Sequence, residues 1–377
     1  MVEVFGISPE WLYNTNSFMD KQSKNTIETL CFDERFYAEQ LVTASEFVIV
    51  RVISVHKDRF TISDGTNEIT AELSGKFLLN ASSAFDYPSS GDWVLVQFHN
   101  ADTFAIIHAV LPRKTLLKRK TPGRKIDFQL IAANIDTAFI MQALDADFSI
   151  SRLERYLVMI NEGHIHPVVL LSKSDLLSPE EVLQKVVEIH AALPGIQVVA
   201  FSNKTSDGAE AVRGLLLPRK TYCLLGSSGV GKTTLLNELI GQQAFATQEV
   251  REKDGKGRHT TTSRQLIRLE AGAVIVDTPG MRELGNFSIE EGIDETFSDV
   301  VSLAEQCRFA DCTHAHEKGC AILLAIQDGS LSEKRYRNYV KMTKEAAYHE
   351  MSYLEKRQKD KKFGKMCREV MKFKKDD

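Results

Sequence analysis
Residues 226–234 read GSSGVGKTT and set Gly226, Gly231, Lys232 and Thr233 at the spacing G-x-x-x-x-G-K-[ST]. That spacing suits the holding of a polyphosphate. Glycines let the backbone curl so that its N–H groups face phosphate oxygens. A helix beginning at the loop adds the positive end of its dipole. The lysine reaches the outer phosphates, and the threonine hydroxyl can hold Mg²⁺. The flanks agree: TYCLL reads as a strand and KTTLLNELI as a helix. Ser227, Ser228, Gly229, Val230 and Thr234 complete the loop expected to surround the phosphates.

Asp277-Thr278-Pro279-Gly280 closes a second apolar run, AVIV. A carboxylate at a strand end can orient Mg²⁺ through water, and the Gly280 N–H can contact a terminal phosphate. Between the two motifs lies GKGRHTTTSRQL, whose Thr260, Thr261 and Thr262 offer hydroxyls where a first switch loop would reach the metal. A plain surface turn would have similar composition. Ser172-Lys173-Ser174-Asp175 follows the run HPVVLL and reads as a guanine motif. Asp175 would accept hydrogen bonds from the guanine N1–H and 2-amino group, and the Lys173 stem would lie over the base. Ser202-Asn203, after IQVVAF, is the candidate for the loop lining the far side of the base. These base-side pieces precede the phosphate loop, whereas an ordinary GTPase has them last. A permuted chain can keep the same spatial sheet, because the termini of compact domains often lie close together. Asp277 would then lead directly into the C-terminal region, so loss of the γ-phosphate could move that region.

Cys307, Cys312, His314 and Cys320 form C-x4-C-x-H-x5-C. Three thiolates and an imidazole match a closed, structural, tetrahedral Zn²⁺ site. His316 competes with His314 for the fourth place, and a reduced, unligated cluster is the bland alternative. Cys31, Cys223 and Cys367 read as bystanders.

Several elements must position these groups. From Phe47 the chain runs FVIVRVISV, RFTISDG, NEITAEL, GDWVLVQF and FAIIHAVL. Short strands so closely spaced predict a small closed barrel, with OB type the natural candidate and RNA a natural ligand. A purely structural barrel is the alternative. The next 15 residues, LPRKTLLKRKTPGRK, hold seven basic and no acidic residues. They could follow a phosphate backbone or simply link two domains. Strand-like runs then alternate with helical patterns such as SRLERYLVMINEG and SPEEVLQKVVEIHAAL, which predicts an α/β domain with a mainly parallel sheet. The expected division is an extension over 1–44, the OB barrel over 45–112, a basic linker over 113–129, the permuted GTPase domain over 130–286, a mostly helical zinc domain over 287–345, and a basic helical tail over 346–377.

Composition narrows the classes. The chain has 377 residues, 43% apolar and 26% charged, which is ordinary for a globular protein. No apolar run is long enough to span a bilayer, and the first residues lack a secretory pattern, so a cytoplasmic chain is expected. Net charge is −4, yet residues 331–377 carry 15 Lys or Arg against 8 Asp or Glu. That asymmetry suits either a basic contact surface or a solvated tail.

Taken together, IAANIDTAFI, SRLERYLVM, GSSGVGKTTLLN, GRHTTT, DTPG and the cluster ending HEKGCA resemble the RsgA family of circularly permuted GTPases. The resemblance covers about residues 45–345. It implies an OB barrel, a permuted GTPase domain and a C-terminal zinc domain. It further implies GTP hydrolysis coupled to late maturation of the small (30S) ribosomal subunit, stimulated by that subunit. Expected ligands are GTP, Mg²⁺ and one structural Zn²⁺; expected partners are the small subunit and its rRNA, with no membrane and a monomeric chain. By motif, 226–234 falls on the family's phosphate loop, 260–262 and 277–280 on its switches, and 172–175 with 202–203 on its base loops. Cys307, Cys312, His314 and Cys320 fall on its zinc ligands. An ATPase or an RNA-remodelling factor acting on a different particle is the alternative.

Two positions depart from the family pattern. Ser172 stands where Asn is usual, and Asn203 where a small Ala is usual. The Asn amide ties the base loop to the phosphate loop; Ser has a shorter reach and one donor, so weaker base affinity is expected. Met281 stands where many GTPases place a water-orienting Gln, and Met cannot orient water. Slow intrinsic hydrolysis is expected, with His259 the candidate for the missing polar group.

Overall fold
Short runs rich in apolar and β-branched residues build the first five strands. The computed structural model describes residues 26–37, 47–56, 59–120, 128–241, 265–277 and 290–350. The strands are β1 (Val48–His56), β2 (Arg59–Ser63), β3 (Glu68–Leu73), β4 (Trp93–His99) and β5 (Phe104–Val110). β1 pairs antiparallel with β2 and with β4, β2 antiparallel with β3, β3 parallel with β5, and β5 antiparallel with β4. The order therefore closes on itself, and the OB-type barrel expected from the sequence is present. Val50, Val52, Ile62, Val94, Val96 and Ile107 fill its interior. In FAIIHAV every second residue is buried, as a half-buried strand requires. Asp64-Gly65 turns the chain between β2 and β3: the Asp64 carboxylate accepts from the Thr66 and Asn67 N–H groups at 2.8 and 2.7 Å, and Gly65 takes φ +97°.

The basic stretch read as a linker over 113–129 is partly a hairpin. Leu116–Lys120 forms β6 and pairs antiparallel with β7 (Phe128–Ala133). Leu117 and Leu130 are buried, so the apolar residues among the cations decide the local structure. Most described cations of this stretch are also answered within the chain. Arg113 grips Asp92 through two contacts of 2.7 Å, Lys114 pairs with Asp33, Lys118 with Glu162 at 2.9 Å, and Arg119 meets Gln129 at 3.1 Å. They serve the fold before they could serve a phosphate backbone.

Strand then alternates with helix. β8 (Thr137–Ala143) leads to α-helix Ile150–Glu162, β9 (His166–Ser172) to Pro179–Ala192, β10 (Gln197–Ala200) to Ala209–Gly214, and β11 (Thr221–Gly226) to Lys232–Ile240. β12 (Gln265–Arg268) and β13 (Val274–Asp277) complete the sheet. Its order is β10-β9-β8-β11-β13-β12, parallel except for β12. Helix Pro179–Ala192 starts with Pro inside a reciprocal Ser178–Glu181 capping box. One further pairing, Ser54 opposite Gln265, joins β1 of the barrel to β12, so eleven strands form one sheet.

The described residues from 290 to 350 belong to a separate compact unit. Its described part holds helices Glu290–Thr296, Ser298–Glu305, Ala321–Gln327 and Glu333–Glu350. The last is fastened by Arg335, only 8% exposed, which reaches both Asp299 carboxylate oxygens at 2.8 Å and the Thr296 carbonyl at 2.9 Å. Among the described residues no helix is long and apolar enough to cross a membrane.

Candidate nucleotide site and metal centre
Parallel strands present their carboxyl ends on one side, where α/β proteins place ligands. Here β9 ends at Ser172, β10 just before Ser202, β11 in Gly226 and β13 at Asp277. The sheet thus brings all four described motifs to one edge. β11 is buried throughout, and its turn into the helix is made by glycines with φ of +149° (Gly226), +79° (Gly229) and +92° (Gly231). A Cβ on Gly226 would meet the Met141 carbonyl at 2.4 Å, so close passage of β8 requires glycine there. Lys232 opens the helix, and its Nζ donates to the Gly226 and Ser227 carbonyls at 2.8 and 2.7 Å. Its ammonium therefore spans the mouth of the loop.

The base-side loops meet this loop directly. Ser172, fully buried, donates from Oγ to the Val230 carbonyl at 2.7 Å. Asn203 donates from Nδ2 to the Gly231 carbonyl at 3.2 Å. The expected shortfall in the reach of Ser172 is thus corrected: β9 ends close enough to Val230 for a short side chain to make the tie. Ser202 donates to Asp175 Oδ1 at 2.6 Å and accepts from the Lys204 and Thr205 N–H groups, so the candidate base acceptor is itself oriented. Lys173, at φ +61°, pairs with Asp145 Oδ2 at 2.8 Å. Burial pushes the Asp145 carboxyl up, but the Lys173 ion pair and the backbone N–H donors, Asp147 among them, together outweigh it and hold the group below the usual carboxylate range. Ser174 donates its N–H to the Phe201 carbonyl at 3.2 Å, joining the two base loops. Ser228, Thr233 and Thr234 lie on the loop and the first helical turn, with Ser228 and Thr234 exposed.

Asp277 ends β13 half-buried. Desolvation raises its pKa, with Lys232 pulling the other way. That carboxylate is costly alone and suited to a cation, which is the fit Mg²⁺ asks for. Gly280, Met281, His259, Thr260, Thr261 and Thr262 lie outside the described residues.

Three contributors escaped the sequence reading. Gln142 on β8 bonds the Ser149 N–H and carbonyl at 2.9 and 3.1 Å, fixing the start of helix Ile150–Glu162. From its first turn Arg152 reaches Ser227 Oγ at 3.5 Å, bringing a second cation to the phosphate loop. Asp145 is the third. Only the SRLERYLVM signature hinted at Arg152, and nothing local marked the others. A concavity of about 250 Å³ lies at the opposite end of these strands, lined by Asp33, Lys114, Asp136 and Lys220 among others. Its carboxylates are already ion-paired with its lysines, and it holds none of the motifs.

In the second unit Cys307, Cys312, His314 and Cys320 converge, with ligand atoms within 4.8 Å of one another. Cys307 Sγ lies 3.9 Å from Cys320 Sγ, and His314 Nδ1 lies 3.4 Å from each sulfur. A tetrahedron with Zn–S about 2.3 Å and Zn–N about 2.0 Å has edges of roughly 3.8 and 3.5 Å. The donors fit zinc, and His314 rather than His316 is the imidazole that joins them. Cys320 also caps its helix, accepting from the Leu323 N–H. Glu317, missed in the sequence, threads the ligand loop: it accepts from the N–H groups of Thr313, Ala315 and His316 at 3.0–3.1 Å and from the Thr313 hydroxyl. Those donors hold its carboxyl far below the usual range.

A phosphate loop at the centre of a sheet whose base-side strands come earlier in the chain, attached to an OB barrel, defines a circularly permuted GTPase. A family profile described as RsgA GTPase matches residues 110–287, and one described as 50S ribosome-binding GTPase matches 221–359. The second starts at the phosphate-loop strand and omits Ser172–Asp175, as permutation requires. A Vibrio parahaemolyticus protein named small ribosomal subunit biogenesis GTPase RsgA 2 is 38% identical over 362 residues, 95% of this chain and 96% of its own. A protein from Opitutus terrae named small ribosomal subunit biogenesis GTPase RsgA is 39% identical over 86% of this chain and 90% of its own. The crystal structure of YjeQ from Thermotoga maritima matches with TM-score 0.60 and 28% identity, covering 80% of this chain and 99% of that one. That of YloQ, titled a circularly permuted GTPase, shares the fold with TM-score 0.56 at 24% identity, over 81% and 97% of the two chains. The chain belongs to the RsgA family of GTPases.

Proposed function
We propose that this GTPase acts in late maturation of the small ribosomal subunit, and that the subunit stimulates its hydrolysis of GTP. The observation that carries the reading is the near full-length likeness to proteins named for small-subunit biogenesis. The joined barrel and GTPase sheet add a physical route from an RNA-bound barrel to the switch strands. In this reading the barrel over 45–112 touches rRNA, 130–286 binds and hydrolyses GTP, and 287–345 is held by one Zn²⁺. The basic tail over 346–377 adds a contact surface. The chain works in the cytoplasm as a monomer.

Gly226 to Thr234 cradle the phosphates, with Lys232 on the outer ones. Thr233, Thr261 and Asp277 hold Mg²⁺, which supplies charge neutralisation. Gly280 senses the terminal phosphate. The loops carrying Ser172, Lys173, Ser174 and Asp175, and Ser202 and Asn203, line the guanine pocket, with Asp175 reading the base. Backbone donors and Lys232 stabilise charge developing on the phosphoryl oxygens. With Met281 unable to place water, His259 supplies the polar group once the particle is engaged.

The test is GTP turnover by the zinc-loaded chain with and without small subunits, with ATP as control. A large, GTP-specific rise with the small subunit is expected. Equal rates with and without it, or equal use of ATP, would overturn the reading. His259→Ala is expected to abolish the stimulated part and spare the basal rate.

A further inference from the structure
Two consecutive carbonyls of the phosphate loop, Val230 and Gly231, are each gripped by one side chain from a different base-side loop. Ser172 Oγ takes the first at 2.7 Å and Asn203 Nδ2 the second at 3.2 Å. A trans peptide points its C=O and the following N–H in opposite directions, and the described chain has no cis peptide. Pinning these two oxygens toward the base loops therefore aims the N–H groups of Gly231 and Lys232 the other way, into the cradle.

The site is built for this contact. An ideal Cβ on Gly231 would lie 2.5 Å from Asn203 Nδ2, so the loop leaves room for the amide only because residue 231 is glycine. Asn203 also carries a cost: its Oδ1 is buried without a hydrogen-bond partner. An unsatisfied buried acceptor is unfavourable, and an alanine would avoid it. What the amide makes is the donation to the Gly231 carbonyl.

We infer that Ser172 and Asn203 form a two-point clamp on the phosphate loop, and that Asn203 is a positioning residue for the nucleotide's phosphates rather than a reader of its base. The inference rests on the GTPase assignment and goes beyond it by separating affinity from selectivity within the base loops. Asp175, oriented by Ser202, carries selectivity; Ser172 and Asn203 carry loop geometry.

The experiment measures a fluorescent GDP analogue on the full chain, with GTP and ITP as competitors and melting temperature in parallel. ITP lacks the 2-amino group that Asp175 would read. Asn203→Ala is expected to weaken GDP, GTP and ITP by one common factor, roughly tenfold, the loss of about one well-placed hydrogen bond. Asn203→Asp, which keeps the shape but faces a carbonyl with a carboxylate, should be worse. Ser172→Ala should resemble Asn203→Ala, and the double variant should lose less than the product of the two, because both act on one loop. Unchanged affinity in Asn203→Ala would overturn the clamp. So would a loss shared by GDP and GTP but spared in ITP, which would make Asn203 a base contact, or a loss explained wholly by a lower melting temperature. Failure of the unaltered chain to bind any guanine nucleotide would instead sink the GTPase assignment.

Discussion

Arg51, on the first barrel strand, donates from Nη1 to Thr221 Oγ1 at 3.0 Å, at the head of the strand that ends in the phosphate loop. The guanidinium is fully buried and also reaches the carbonyls of Leu30, Gly91 at 3.2 Å and Asn134 at 3.1 Å, with Trp93 against its face at 5.2 Å. One side chain thus ties the barrel, the N-terminal segment and the central sheet. Removing it strands several buried acceptors, so Arg51→Ala should cost about 3 kcal/mol. Arg51→Lys keeps the charge without the planar fork and should fall between. Urea unfolding measures both; a loss below about 1 kcal/mol for Arg51→Ala would show the fork to be dispensable.

Asp277 sets a pH dependence whose sign follows from burial. Desolvation raises its folded pKa, against the pull of Lys232. The unfolded chain therefore ionises first, and stability contributed by this group declines as pH rises from the unfolded carboxylate range through the folded value. Asp277→Asn should raise the melting temperature of the nucleotide-free protein at neutral pH and flatten that decline. The same change should weaken Mg²⁺-dependent GTP binding. A lower melting temperature at neutral pH would show that Asp277 is stabilising as an anion.

The metal centre predicts one zinc per chain by elemental analysis. Serine at Cys307, Cys312 or Cys320 should abolish it, and serine at Cys31 or Cys223 should leave it unchanged. Glu317→Gln keeps every ligand but weakens the carboxylate that gathers three N–H groups of the ligand loop, so zinc affinity should fall about tenfold, as for other supporting contacts. Because the Glu317 carboxyl is held low, its support is present above the unfolded carboxylate range and is lost as pH falls through the folded value. Equal zinc affinity in Glu317→Gln would assign the loop's shape to the ligands alone.

Arg152 brings its guanidinium to Ser227, and Gln142 fixes the helix start that carries it. Arg152→Ala should reduce GTP affinity more than GDP affinity, since an added cation favours the more highly charged ligand. The expected loss is about threefold to tenfold at low salt, shrinking as salt is raised. Equal losses for both nucleotides, insensitive to salt, would point to packing instead.

How much of this was legible in the sequence depended on distance along the chain. GSSGVGKTT and C-x4-C-x-H-x5-C are local, so spacing alone identifies their chemistry. The barrel was legible because alternating runs such as FAIIHAV bury every second residue. Arg51 was not: its partners lie 21 to 170 positions away, and no periodicity marks a cation that will be buried. The basic run after the barrel looked like a polyanion track because Asp92, Asp33 and Glu162, which neutralise it, come from elsewhere. Ser172 looked too short for its task because reach was judged from the side chain, whereas β9 supplies the approach.

The pairing of Ser54 with Gln265 bears on cooperativity. Elements sharing one hydrogen-bonded ladder, further stapled by a buried arginine, lose each other's support when either opens. The barrel and the GTPase sheet form a single compact unit, and the cysteine-rich helices another. Calorimetry should accordingly resolve two melting events rather than three, with only the smaller one shifted by a chelator. GTP should raise the larger one whole, barrel included, so that a ligand at the phosphate loop protects barrel amides it never touches from hydrogen exchange.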